Sequence, residues 1–338
     1  MSDAYRLIGG NASPYSVKMR AILRYRRLPF IWERIGKRHN SEIADIRPPT
    51  MPYLVYPDGS IRNDSTLLVY DLEQRHSERS VLTGDSACDF LIHLIEDGAD
   101  EWGTRIMAFS RWNNEEDQEF CSRWIADEML FDQSVEKREA AALAFRERQT
   151  GRRPLLGASP NSRDILGHSF RVVLGCLNDL IETQEYLFGS RPSLADFGWF
   201  GQLYQMTIDP TGSAFMRREF PRVFSWLLRL DDLSGSTGEW NAIDAPLAKG
   251  TASLLRFVCA THLPLLSTNA RAAAAGDAMC RFEVDGMLFE QTTNKYHVKC
   301  LAWLRDEYGR LDADSRRRVG AALEASGCAR AFAEVFAK

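Results

Sequence analysis

The hydrophobic pattern of this chain changes period near Arg79, and that change limits what it can fold into. Before it, short apolar runs alternate with helical spacing. Tyr5 to Ile8 reads as a buried strand, and Pro14 to Tyr25 as a helix with Met19, Ile22 and Leu23 on one face. Phe30 to Ile35 returns to strand character. Tyr53 to Tyr56 and Ser60 to Arg62 form two strands around the turn Pro57-Asp58-Gly59, and a helix follows from about Ser65 to His76. The order β-α-β-(loop or helix)-β-β-α predicts a small α/β domain over residues 1–80.

After a polar linker, Ser80 to Ala87, the spacing is helical from Cys88 to about Leu230. Leu91, Leu94 and Ile95 share one face, and Phe170, Val173, Leu174 and Leu177 another. The segment Thr150 to Ser162 predicts an exposed loop. An all-helical domain is expected over residues 86–245, and a mixed extension over 246–338. Within the extension Asp285-Gly286 supplies a type I′ turn, with Val284 opposite Met287 and Phe282 opposite Phe289. Val298, Leu301, Leu304 and Tyr308 predict a helical stripe. A last helix or pair of helices covers Asp314 to Phe336, with Gly327 as the break.

Composition narrows the function. The 338 residues carry 42 Lys and Arg against 46 Asp and Glu, a net charge of −4, without the basic excess of a general nucleic-acid binder. No apolar run reaches the ~20 residues of a membrane span. The amino terminus lacks the pattern of a signal peptide, so a cytoplasmic protein is expected. The 7 cysteines are odd in number and none forms a C-x-x-C pair, which predicts reduced, mostly buried thiols. The 6 histidines show no H-x-x-x-H spacing, and no metal site is expected.

Three short segments carry chemistry. In Asn11-Ala12-Ser13-Pro14-Tyr15-Ser16, Ser13 and Pro14 suit the N-cap and first position of a helix. Capping alone accounts for them. A hydroxyl at a helix N-terminus also suits an anion, and a thiol placed there ionises more readily. Met51-Pro52 precedes a strand. If its peptide bond is cis, the Met51 backbone is free to pair with a bound peptide. Asn63-Asp64-Ser65-Thr66 opens the next helix. Asp64 or Ser65 is expected to cap it, or else the Ser65 and Thr66 N–H groups hold a carboxylate while Asp64 pairs with an ammonium group. Together the three describe a slot for a peptide with a free α-amino acid at one end and a thiol near Ser13.

Those residues carry a resemblance to the cytosolic glutathione transferases. SPYSVKMRAIL is similar to the family's active-site loop and first helix, and MPYLVYPDGSIRNDSTLLVYDLE to its cis-proline, hairpin and glutamyl-binding helix. Gly189 to Phe197 is similar to the start of its buried helix, with Ser193 as N-cap and Asp196 three residues on, a capping-box variant. The resemblance implies an α/β thioredoxin-like N-terminal domain followed by an all-α C-terminal domain, here with an extra α+β appendage. It implies glutathione as cosubstrate, no metal, a small electrophile, no nucleic acid, no membrane, and a homodimer. Ser13 would contact the glutathione thiolate, with Tyr15 and Ser16 as rivals. Met51 and Pro52 would present backbone to the cysteinyl unit. Asp64, Ser65 and Thr66 would hold the γ-glutamyl end. Lys37, with Arg38 and His39, stands where the glycine carboxylate is often bound. Trp102, Arg105 and Trp112 are candidates for the electrophile wall, although bundle core accounts for the tryptophans too. Ser13 stands where related oxidoreductases have cysteine, so mixed-disulfide chemistry through the protein is not expected. The alternative is a non-catalytic binding module that keeps the fold.

Overall fold

The computed structural model describes residues 4–158 and 162–336. Four strands form one sheet in the order β2-β1-β3-β4: β1 (Tyr5–Gly9), β2 (Phe30–Arg34), β3 (Tyr53–Val55) and β4 (Ile61–Asn63). β2 runs parallel to β1, and β3 and β4 are antiparallel to their neighbours. Helices α1 (Pro14–Tyr25) and α2 (Ser65–Arg75) complete a thioredoxin-like domain. The expected elements are all present, with strand ends moved by a residue. Ile35 lies beyond β2, and β4 ends at Asn63 rather than Arg62.

The helical layer follows: α3 (Ser86–Gly98), a π-helical turn (Ala99–Gly103), α4 (Thr104–Asn113), α5 (Glu115–Met129), α6 (Val135–Gly151), α7 (Arg163–Ile181), α8 (Leu194–Ile208), α9 (Pro210–Glu219) and α10 (Pro221–Leu230). Thr150 and Gly151, expected in a loop, close α6, and Arg153–Leu156 form a 3-10 turn. Residues 159–161 of that expected loop lie outside the described residues. No helix among the described residues is long and apolar enough to cross a membrane.

α8 is the centre of the molecule, buried on all sides from Leu194 to Gln202. Its buried start is satisfied locally. Ser193 Oγ accepts from the Asp196 N–H at 3.4 Å, and the Asp196 carboxylate accepts the N–H groups of Ser193 at 2.8 Å and Leu187 at 2.9 Å. Gly201 lets α1 lie directly on α8, since a Cβ there would sit 2.7 Å from the Pro14 carbonyl oxygen. That contact fixes α1, and with it Ser13, against the helical layer.

The chain continues as α11 (Lys249–Ala275), the hairpin β5 (Met279–Val284) and β6 (Met287–Thr292), then α12 (Lys295–Arg310), α13 (Ala313–Ala325) and α14 (Ala329–Phe336). The hairpin has the expected register, Val284 to Met287 and Phe282 to Phe289, with positive φ at both Asp285 and Gly286. The segment after α12 forms two helices, α13 and α14, and Gly327 between them has φ 69°. Val298, expected on the buried stripe of α12, is 36% exposed; His297, Cys300, Leu301 and Leu304 form that face instead. The shift arises because the buried face of α12 meets polar as well as apolar groups. α11 packs on α7 so closely that a Cβ on Gly250 would lie 2.3 Å from the Cys176 carbonyl oxygen. Leu254, Leu263, Phe289, Leu304 and Phe332 of this region belong to the same hydrophobic core as Leu7, Ile22 and Phe197.

Candidate functional site

The strand register brings the three segments together. Ile8 pairs with Tyr53, and Tyr53 pairs with Asn63. One residue past those partners, the chain leaves the sheet at the same end three times: from β1 toward Ser13, at Met51-Pro52 before β3, and from β4 into Asp64-Ser65. The Met51-Pro52 bond is cis, as is Arg47-Pro48. Met51 lies outside the ladder, and no hydrogen bond of the described residues uses its backbone N–H or C=O. Its sulfur packs on the β1–α1 loop, 3.8 Å from where a Gly10 Cβ would stand.

At the first exit Ser13 caps α1. Its Oγ accepts from the Ser16 N–H at 3.3 Å, which leaves its own O–H free to donate. The rival hydroxyls are placed otherwise. Tyr15 Oη donates to the Asp100 carbonyl at 2.9 Å and lies 2.7 Å from Thr104 Oγ1, and burial pushes its pKa well above the usual tyrosine range. Ser16 Oγ is fully buried under Gly9, with no hydrogen-bond partner among the described residues.

The loop before Ser13 is held by the helical layer. Arg111 donates to Ala12 O at 2.9 Å, and Gln205 Nε2 to Asn11 O at 3.1 Å. Glu128 Oε1 accepts the Asn11 N–H at 2.9 Å. Arg111 is in turn fixed by both carboxylate oxygens of Asp209 at 2.8 Å. Sequence reading missed Arg111, Gln205, Asp209 and Glu128. Gln205 on a helix otherwise buried, with Asp209 four residues on at its C-cap, is the signal that could have found two of them.

At the third exit, Asp64 does not cap α2. It has φ 76°, a left-handed conformation that costs a non-glycine residue about 1–3 kcal/mol, and its side chain makes no bond to the helix N-terminus. The first N–H groups of α2 therefore have no side-chain cap, the arrangement that binds anions. Beneath them lies a buried ionic group. Lys18 Nζ donates to Asp100 Oδ2 at 2.7 Å and to Glu96, Thr66 Oγ1 donates to Glu96 Oε1 at 2.7 Å, and Ser65 Oγ stands 3.5 Å from Asp100 Oδ2. Burial, with the Glu96 charge beside it, pushes Asp100 up to about 8 against the pull of Lys18. Burial opposes the charge on Lys18, yet Asp100 and Glu96 outweigh it and hold the ammonium above its ordinary range.

The remaining predicted residues are scattered. Lys37 and Arg38 are exposed on a 3-10 turn after β2, while His39 is buried, with Nε2 2.8 Å from Glu33 Oε2 and Nδ1 accepting the Gly36 N–H at 3.2 Å. Trp102 is fully buried: its Nε1 donates to Ser169 Oγ at 3.2 Å and its ring packs on Phe289 at 4.9 Å. Arg105 is buried as well, donating from Nε to Gln291 Oε1 at 2.7 Å, with His297 Nε2 at 3.0 Å. The hairpin and α12 cover both side chains, so neither forms an open wall. Trp112 is buried in a small cluster with Ala108, Cys121 and Ile125, against which Ala12 packs.

Comparison with known proteins agrees with this architecture. Residues 7–80 match the glutathione S-transferase N-terminal domain family, and residues 170–229 match the C-terminal domain family. No curated protein matches the chain. Among solved structures, a beta-etherase from Sphingobium is 20% identical, with 68% of this chain and 95% of that one covered and a TM-score of 0.46. A GST-like protein from Pseudomonas syringae is 18% identical, covering 68% and 67%, with a TM-score of 0.44. A glutathione S-transferase from Methylobacillus flagellatus, solved with glutathione bound, is 16% identical, covering 68% and 93%, with a TM-score of 0.39. The two domain matches fall, in family order, on the sheet that carries Ser13, Met51 and Ser65 and on the buried helix α8, so the chain carries the N-terminal and C-terminal domains of the glutathione S-transferase family over those residues.

Proposed function

We propose that the protein binds glutathione across the three chain exits, ionises its thiol and transfers the sulfur to a small electrophile. The observation that carries this reading is the shared register of Ile8, Tyr53 and Asn63, which gathers a free hydroxyl, the unpaired backbone of Met51 just before β3 and an uncapped helix at one end of the sheet. Ser13 donates to the thiolate, and the N-terminus of α1 favours its charge. The Met51 backbone pairs with the cysteinyl unit beside Pro52. The N–H groups at Ser65 and Thr66 hold the γ-glutamyl carboxylate, Asp64 takes its ammonium, and exposed Lys37 serves the glycine carboxylate. The sulfur lone pair forms the new C–S bond as the electrophile's leaving group departs with its electrons. The thiol proton goes to solvent. Holding the two reactants together supplies much of the acceleration. Seven free cysteines support a cytoplasmic setting, and the family resemblance supports a homodimer.

A non-catalytic glutathione-binding protein is the second reading, favoured by the covering of Trp102 and Arg105. Both are tested by titrating glutathione while following thiolate absorbance at several pH values. A saturable band well below the ~8.5 of a free thiol, lost in Ser13→Ala and kept in Tyr15→Phe, supports activation at Ser13. Turnover of an aromatic halide then separates transferase from binding protein. A Ser13→Ala protein with the wild-type band would remove Ser13 from the mechanism.

A further inference from the structure

The Asp64 carboxylate has one side-chain partner among the described residues, and it comes from far along the chain: Tyr296 Oη donates to Asp64 Oδ2 at 2.9 Å. Tyr296 sits on the first turn of α12 and is fixed from both sides. The Asn294 side chain accepts the Tyr296 N–H at 2.9 Å. Asn294 itself is held by fully buried Asn269, which donates to its carbonyl and accepts its N–H, both at 2.7 Å. On the other side His297 Nε2 lies 2.7 Å from Glu101 Oε2. Tyr296 is 38% exposed. Asp64 Oδ1 has no hydrogen-bond partner among the described residues.

We propose that Tyr296 is a positioning residue for glutathione: it pins one oxygen of Asp64, keeps that carboxylate off the N-terminus of α2, and aims the other oxygen at the α-amino group of the γ-glutamyl unit. The inference rests on the glutathione reading above. An aspartate preceding a helix ordinarily folds onto the first N–H groups as a cap. Here that would occupy the donors at Ser65 and Thr66 that a ligand carboxylate needs. By holding the Asp64 side chain away, Tyr296 leaves an anion site and a cation site side by side, the pattern of one free amino-acid end. The extension thereby completes the binding slot.

The test compares two ligands by calorimetry: glutathione, and the analogue whose γ-glutamyl α-amino group is replaced by hydrogen. Tyr296→Phe should weaken glutathione about tenfold, the effect of one hydrogen bond to a charged group, and weaken the analogue by less, since a released Asp64 competes for the α2 donors with either ligand but only glutathione also loses its ammonium partner. In an Asp64→Asn background, adding Tyr296→Phe should cost nothing further. Equal loss for both ligands would make Tyr296 merely structural, and wild-type affinity for glutathione in Tyr296→Phe would leave it without a role; either overturns the inference alone. If the wild-type protein binds neither ligand, the glutathione reading itself fails and the inference falls with it.

Discussion

Arg111 links the helical layer to the loop that carries Ser13, and its replacement separates folding from function. Its side chain is 2% exposed and meets Asp209 with two hydrogen bonds of 2.8 Å, Gln205 Oε1 at 2.9 Å and Ala12 O at 2.9 Å. Arg111→Met keeps much of the volume but leaves Asp209 buried and charged, with the Cys121 thiol at 3.1 Å as its remaining side-chain donor. Removing one partner of a buried ion pair costs about 3–5 kcal/mol. That is a large part of the ~5–15 kcal/mol that holds an ordinary domain folded. Adding Asp209→Asn removes the uncompensated charge, and more than half of the lost stability should return. The bond to the Ala12 carbonyl does not return with it. A charged donor there contributes about 1.5–3 kcal/mol to holding the loop. The double variant should therefore unfold in urea near the wild-type midpoint yet turn over glutathione at least about tenfold more slowly, since small misplacements of a reacting group carry large penalties. Urea unfolding followed by tryptophan fluorescence, then turnover of an aromatic halide, reads both quantities. If the double variant is as unstable as Arg111→Met, the buried Asp209 charge is not the source of the loss. Wild-type turnover in the double variant would refute the role of the Arg111–Ala12 bond.

Two further outcomes follow from the packing beneath the slot. Burial raises Asp100 to about 8 in the folded protein, from 3.8 in the free group. Between those values the unfolded chain binds fewer protons, so this group makes stability fall as pH rises from about 4 to about 8. Asp100→Asn removes that slope; relative to wild type its urea midpoint should gain more at pH 8 than at pH 5, and a difference independent of pH would count against a buried neutral Asp100. Gly201→Ala places a methyl group 2.7 Å from the Pro14 carbonyl oxygen, a backbone atom with no room to retreat. It should cost about 1–3 kcal/mol and weaken the glutathione-dependent absorbance band by moving α1; an unchanged band in a folded variant would show that α1 need not lie directly on α8.

The parts of the site legible in the sequence are those set by neighbours a few residues away. Ser13 before Pro14, Met51 before Pro52, and Ser193 with Asp196 each announce a local geometry, and the structure contains a cap, a cis bond and a capping box at those places. Asp64 was legible as a helix start, but its left-handed backbone was not, because its partner Tyr296 lies 232 positions away. The charges of α3 and the turn after it were the least legible. Nothing in the local pattern marks Glu96, Asp97, Asp100 and Glu101 for burial, since charged side chains ordinarily stay in water. In the structure they form two buried stripes, one meeting Lys18 and Thr66 of the thioredoxin-like domain, the other meeting His262 and His297 of the last third of the chain. A buried charge depends on a distant partner, and no local pattern reports one. The same holds for Arg105, whose cover of Gln291 and His297 lies 186 and 192 positions further on. This has a consequence for the extension. Removing it from Lys295 onward would strip the imidazole from Glu101 and one partner from Arg105, leaving charges built for burial without their counterparts, and would take the hydroxyl from Asp64. A segment whose loss uncovers ion pairs in the middle of the helical layer is part of the fold that builds the slot, and its contribution has to be tested by single side chains such as Tyr296 rather than by truncation.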